Sequence, residues 1–308
     1  MKNKILVTGA SGFIGRQALI PLVEKGFEVH AVCRHPLKEI AGVTWHSTNL
    51  LDVQHTNECL REIKPSHLLH TAWVTEHGKF WQAPENKYWL ESSKNLFQAF
   101  VAAGGTRIIG IGSCAEYEWR RKDNSPWKET DPCHPHTPYG KAKLALLEWL
   151  AAYAEKHAIS YAWARLFLLF GPYENPARII PYLINSALHG KPAHCSSGTQ
   201  IRDFLDSETC GNLLAEIAAS DLTGPVNLAS GQAHSLKEIA AKIYDIAQKP
   251  NDCEFDPKLD RPDDPPYMVA DIDTLRKVTK ISDKYDISRA LKTAIEWMAR
   301  IKKKLIAS

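Results

Sequence analysis

Short apolar, β-branched runs alternate with longer stretches of helical periodicity through the first half of the chain. Residues 5–8, 29–33, 67–71 and 107–112 read as strands, and 14–25, 53–62, 89–103 and 139–157 as helices. Residues 161–167 read as one more strand. Such alternation predicts an α/β body: a doubly wound parallel sheet with helices on both faces. After about residue 170 the pattern changes to short helices at 177–189, 207–220, 235–247, 272–279 and 286–304, separated by proline-containing and polar loops. Residues 1–170 therefore form the sheet domain, and 171–202 with 230–308 form a smaller, mainly helical C-terminal domain over the sheet's carboxyl edge. Residues 203–229 read as helix plus strand and rejoin the large sheet.

Composition narrows the class. The 308 residues are 44% hydrophobic and 24% charged, ordinary for a soluble enzyme. A net charge of +3, spread along the chain, offers no basic face to nucleic acid or to a membrane surface. No window reaches the ~20 apolar residues that span a bilayer, and Met1 runs straight into a strand without a leader, so the expected location is the cytoplasm. Seven cysteines lack Cys-x-x-Cys spacing, which points to reduced thiols instead of disulfides or zinc. His134 and His136 beside Cys133 have no further ligand at suitable spacing, so no metal is expected.

The first strand ends in Thr8-Gly9-Ala10-Ser11-Gly12-Phe13-Ile14-Gly15 and opens a helix. Glycines at 9, 12 and 15 let the turn close, the backbone approach a pyrophosphate, and the helix amides face the anion. This is the dinucleotide site of a Rossmann-type sheet, with Gly9, Ser11, Gly12, Phe13, Ile14 and Gly15 as its lining. At the end of the second strand stand Cys33 and Arg34 with no acid nearby. An acid there holds a ribose 2′-hydroxyl, whereas arginine accommodates a 2′-phosphate, so NADP(H) is favoured, with NAD(H) as the other possibility.

Tyr139 and Lys143 lie four apart at the start of a helix and project from one face. An ammonium beside a phenol lowers the phenol's pKa from about 10 and prepares it to exchange a proton with an alcohol. With Gly-x-x-Gly-x-x-Gly, this pair makes the chain resemble the extended short-chain dehydrogenase/reductase family, of the NAD-dependent epimerase/dehydratase type, which modifies nucleotide sugars. The likeness continues in order through Leu69-His70-Thr71-Ala72, Gly112-Ser113-Cys114-Ala115-Glu116-Tyr117, Arg165-Leu166-Phe167, Arg202-Asp203-Phe204, Asn227-Leu228-Ala229-Ser230-Gly231 and Arg261-Pro262-Asp263-Asp264-Pro265. It covers residues 4 to roughly 275.

The resemblance implies roles. Tyr139 is the general acid/base, Lys143 holds the nicotinamide ribose and tunes the tyrosine, and Ser113 bonds the reacting oxygen. Asn49 and Leu50 stand at the adenine, and Thr71 and Ala72 at the cofactor's centre. Arg202 and Arg261 grip the substrate diphosphate. Trp73, Cys114, Glu116 and Arg178 fall around the sugar, as does the aromatic loop 75–81, and Trp73 replaces a small residue of the family pattern. Relatives form homodimers by pairing two helices. Here Leu96, Phe97, Phe100, Leu146, Leu147 and Leu150 supply either that interface or packing on the sheet.

Absent partners limit the reaction. Dehydratases carry Asp-Glu directly after the serine or threonine, where this chain has Cys114 and Ala115, and decarboxylases keep a glutamate at the second place. Enzymes that epimerise carbons beside the ketone use a cysteine and a histidine where Ala115 and Arg178 stand. What remains needs only Ser113, Tyr139 and Lys143: an NADPH-dependent 4-ketoreductase of an NDP-4-keto-6-deoxy sugar, or alternatively an NAD-dependent nucleotide-sugar 4-epimerase. A non-catalytic NADP-binding redox sensor is a second alternative, and sensors commonly lose the tyrosine or lysine retained here.

Overall fold

The structure, a computed structural model, describes residues 3–306 except 38, 120, 122 and 282–284. Strand β1 (Lys4–Thr8) leads through the glycine turn into α1 (Gly15–Glu24). β2 (Glu28–Cys33), β3 (Val43–Ser47), α2 (Val53–Ile63), β4 (His67–His70), α3 (Glu85–Ala102), β5 (Arg107–Ser113), α4 (Pro138–His157) and β6 (Ser160–Leu166) follow. Next come β7 (Leu168–Phe170), α5 (Ile179–His189), β8 (Ala193–Cys195), β9 (Ile201–Arg202), β10 (Phe204–Asp206), α6 (Ser207–Ala218) and β11 (Gly224–Leu228). The chain ends with β12 (His234–Ser235), α7 (Leu236–Ile246), β13 (Cys253–Phe255), β14 (Tyr267–Met268), α8 (Asp273–Arg276) and α9 (Ile287–Ile306).

Seven strands make one parallel sheet in the order β11-β6-β5-β4-β1-β2-β3. The strand order reverses between β1 and β4, and the crevice at their carboxyl ends is where such sheets bind ligands. Both faces are covered, so the middles of the inner strands are apolar. On one face, Leu19 and Leu22 of α1 and Leu213, Leu214 and Ile217 of α6 pack on Val7, Ile109 and Val226. On the other, Leu60, Leu96, Phe97, Phe100, Leu146 and Leu150 of α2, α3 and α4 pack on Leu6, Leu68, Ile108 and Trp163. A third cluster joins Ile180, Leu183 and Ile184 of α5 to Ile239 and Ile243 of α7, Leu291 of α9, and Phe170 and Phe204.

β11 returns to the large sheet beside β6, while β10 pairs with β7 outside it. Strand β3 is absent from the sequence reading. Its Val-Thr-Trp-His-Ser is an edge strand, bonded only to β2 and half exposed, so no continuous apolar run marks it. Helix α3 starts at Glu85, a turn before its periodicity becomes visible, and α8 is a single turn. The six apolar residues considered for a dimer interface are all buried within the chain.

Candidate active site

The glycine turn is required by contacts as well as by φ. Gly9 is left-handed at φ +65°, and a Cβ there would stand 2.8 Å from the Ala72 nitrogen and the Thr71 hydroxyl. A Cβ on Gly15 would meet the Gly9 carbonyl oxygen at 2.4 Å. The Gly12 N–H closes the turn on the Gly9 carbonyl at 2.9 Å. Thr71 donates to the Thr8 carbonyl at 2.7 Å, so its hydroxyl braces β4 to β1 beneath the turn. Arg16, which the sequence reading passed over, donates to the Ser11 carbonyl and lies 3.9 Å from the Tyr173 ring centroid. It fixes the turn from outside.

At the end of β2 the Cys33 thiol is pushed up by burial, with Ser11 opposing, while the Arg34 side chain is exposed beside it. Asn49 caps its own turn by accepting from the Leu51 N–H at 3.2 Å, and Leu50 packs on the α2–α3 face of the sheet. These residues fit a nicotinamide dinucleotide: a turn that side chains would obstruct, a cation at the adenosine end, and the Tyr139–Lys143 pair at the other.

Ser113 ends β5, and Tyr139 begins α4, whose first turn is capped by Thr137 accepting from the Gly140 N–H at 3.1 Å. The two come together, with Ser113 near enough to the Tyr139 hydroxyl to favour its ionised form. Burial pushes the Tyr139 phenol above its ordinary value, Ser113 opposing this. The expectation of a lowered pKa is therefore corrected. Phe80 and Trp81 meet the Tyr139 ring edge to face at 5.0 and 5.5 Å and cover part of it. Trp119 continues the wall at 5.8 Å from Trp81.

Lys143 is 3% exposed and donates to the Ile111 carbonyl at 2.8 Å. Its Nζ stands 3.7 Å from the Trp73 ring centroid, and burial brings its pKa down to about 7, with Glu116 opposing. Trp73 is in turn fixed by its indole N–H on Asn86 at 2.8 Å. Assigning Trp73 to the sugar pocket is thus corrected, since the lysine covers the face a sugar would need. Behind them His70 bonds Thr8 at 2.7 Å and Ser93 at 2.8 Å, and burial holds it neutral with a pKa of about 3. Ser93 gives its own proton to the Trp89 carbonyl, so His70 donates from Nε2 and accepts from Thr8 at Nδ1.

Across the crevice, Asp203 accepts from Ser230, Gly231 and Ala270 and pins the corner that carries Arg202. Arg202 is buried; one terminal nitrogen donates to the Ile201 carbonyl, while the other lies 2.7 Å from Asp264 without hydrogen-bond alignment. A buried guanidinium nitrogen left this way is suited to an anion. Arg261 is exposed and, with Arg178, helps to lower the pKa of His77, whose burial is the larger cause. Arg178 pairs at 3.0 Å with Glu174, a residue missed in sequence, whose carboxyl burial pushes up to about 7. The Cys114 thiol is buried and pushed up to about 12.

Glu116 does not face the substrate. It is fully buried and bonded to Ser113, Trp163 and Arg165, so its assignment to the sugar pocket is corrected.

A model of the NAD dependent epimerase/dehydratase family matches residues 5–228. The chain belongs to this family. Its members here include a UDP-glucose 4-epimerase of Rhizobium meliloti, 26% identical over 97% of this chain and 98% of its own length. The UDP-N-acetylglucosamine 4-epimerase of Methanobrevibacter ruminantium, solved with UDP-N-acetylmuramic acid, superposes with a TM-score of 0.86 over 98% of this chain and all of its own, at 24% identity. MoeE5, solved with UDP-glucuronic acid and NAD, gives 0.83 at 27% identity, covering 97% of this chain and all of its own. The chain is thus an extended short-chain dehydrogenase/reductase of the epimerase/dehydratase type. Among the described residues no helix is long and apolar enough to cross a membrane.

Proposed function

We propose that the protein is an NADPH-dependent 4-ketoreductase of an NDP-4-keto-6-deoxy sugar. The observation that carries this reading is the meeting of Ser113 and Tyr139 with no second acid/base in the two positions after Ser113, where Ala115 is inert and the Cys114 thiol is held protonated. Gly9, Ser11, Gly12 and Gly15 would hold the dinucleotide's pyrophosphate, Arg34 its 2′-phosphate, and Tyr139 and Lys143 its nicotinamide ribose. When bound, NADPH supplies the hydride. Tyr139, kept protonated by burial, gives its proton to the carbonyl oxygen, Ser113 holds that oxygen, and the Lys143 charge offsets the phenolate left behind. Arg202 and Arg261 bind the diphosphate, and the Phe80, Trp81 and Trp119 wall takes the sugar's apolar side. We infer a homodimer through α3 and α4, supported by the half-buried Trp149 and Tyr153, which stack 4.7 Å apart on α4.

The test is NADPH oxidation against a panel of dTDP- and UDP-4-keto-6-deoxyglucose, run beside UDP-glucose/UDP-galactose interconversion. Oxidation with a keto-sugar and no interconversion is expected. The 26% identical UDP-glucose 4-epimerase favours a second reading, NAD-dependent 4-epimerisation. Interconversion by protein that retains NAD through purification would establish that reading, and absence of both activities would leave the sensor. Cofactor choice has its own check. Arg34→Asp is expected to raise the KM for NADPH about 10–100-fold, the loss of one charge-assisted contact, while use of NADH holds or improves. Equal effects on both cofactors would remove Arg34 from the site.

A further inference from the structure

Glu116 sits in the turn directly behind Ser113 and spends its whole carboxyl on the protein. Oε1 accepts from the Ser113 N–H at 2.8 Å and from the Trp163 indole at 3.0 Å; Oε2 accepts from Arg165 Nε at 2.8 Å and from the same indole at 3.2 Å. Ser113 returns the contact, its Oγ accepting from the Ala115 N–H at 3.2 Å, so the turn is a closed capping box. Arg165 passes the connection to the Tyr117 hydroxyl at 3.2 Å, and Tyr117 donates to Asn227 on β11 at 2.6 Å. Asn227 donates to the Trp127 carbonyl at 2.8 Å. Glu116, Trp163, Arg165, Tyr117 and Asn227 are all at most 3% exposed.

The backbone makes room for this arrangement. A Cβ on Gly112 would stand 2.2 Å from the Trp163 indole nitrogen and 2.5 Å from Glu116 Oε1, and one on Gly110 would strike the Trp163 ring at 2.4 Å. A buried ion pair is a poor source of stability, since apolar residues of the same volume serve as well or better. What it does supply is direction: a fixed carboxyl that leaves the Ser113 backbone one position.

We propose that Glu116 is a positioning residue for Ser113: held by Arg165 and Trp163, it grips the Ser113 N–H and sets Ser113 Oγ against Tyr139 and the reacting oxygen. The proposal rests on the reading of Ser113 and Tyr139 given above. Glu116→Gln keeps the shape but puts an amide where Arg165 and Trp163 need acceptors. It is expected to lower kcat about 10–100-fold, the scale of a small misplacement at a reacting centre, with the KM for the reduced panel sugar and NADPH binding unchanged within about twofold. The decisive measurement is a double-mutant cycle. If Glu116 acts through Ser113, S113A/E116Q will be no slower than S113A alone; additive losses would overturn the proposal. Should E116Q fail to fold, E116V/R165L removes both charges at once and is expected to fold yet turn over slowly, and wild-type turnover in that protein would equally overturn it. The two readings separate cleanly: if S113A is itself as fast as the unaltered protein, or no panel sugar is reduced, the assignment of Ser113 and the reaction has failed and this proposal with it. A slow S113A with an additive cycle sinks the role of Glu116 alone.

Discussion

Methionine at position 143 is expected to make the cofactor-free protein more resistant to heat at pH 6 while abolishing its turnover. Lys143 is buried with its Nζ on one backbone carbonyl and one indole face, and its pKa falls to about 7 from 10.5. Between these values the unfolded chain holds a proton that the folded chain has released, so stability climbs with pH across that window. At and below about pH 7 the folded protein carries the charged, desolvated amine at a cost on the order of a few kcal/mol. Lys143→Met removes that cost, so the rise in Tm should be large at pH 6 and small near pH 10. A Tm difference that does not change between those pH values would refute the account. Turnover falls regardless, because no cation remains to offset the phenolate at Tyr139. A residue that destabilises the empty protein and serves the reaction is what a functional site produces.

Tyr139→Phe is expected to leave a folded protein that binds NADPH and to reduce turnover of the keto-sugar by about 10²–10⁴-fold. The ring stays, and with it the edge-to-face packing of Phe80 and Trp81; only the hydroxyl beside Ser113 is lost. Stopped-flow measurement of NADPH consumption, with binding followed separately by fluorescence, makes the comparison. Unchanged turnover in Tyr139→Phe would dismiss the phenol as proton donor. The raised pKa also gives a direction. Burial keeps the phenol protonated through neutral pH, which suits giving a proton to a carbonyl better than taking one from an alcohol.

How far the sequence reaches can be judged from particular residues. The glycine turn and inner strands are legible because two-sided burial forces continuous apolar runs and because Gly9 and Gly15 admit no side chain. Ser113, Tyr139 and Lys143 are legible as a set from spacing and resemblance. Glu116 is not, since its partners Trp163 and Arg165 lie on β6 and only strand pairing brings them behind Ser113. Trp73 misleads for a related reason: an aromatic beside a cleft suggests a sugar platform, and nothing local tells that a buried ammonium will occupy its face. The tyrosine's pKa follows the same rule. The neighbour four residues away is visible in sequence, but desolvation is the largest cause of the shift, and Phe80 and Trp81, which pack on the ring, come from a loop nearly sixty residues earlier.

The return of β11 to β6 also bears on how the protein is made and how it can be varied. The outer edge of β6 stays unpaired until residues 224–228 have been synthesised, by which time the residues of α5 and of the short strands around it have been synthesised too. An open edge of that kind invites pairing with other chains. Translation therefore has to deliver part of the chain after residue 170 before the large sheet can close. The sheet and the residues after 170 are for that reason a single unit of inheritance: a C-terminal portion borrowed from a relative brings the last strand of the large sheet with it, and recombination that respects only the change of pattern near residue 170 would leave the sheet unfinished.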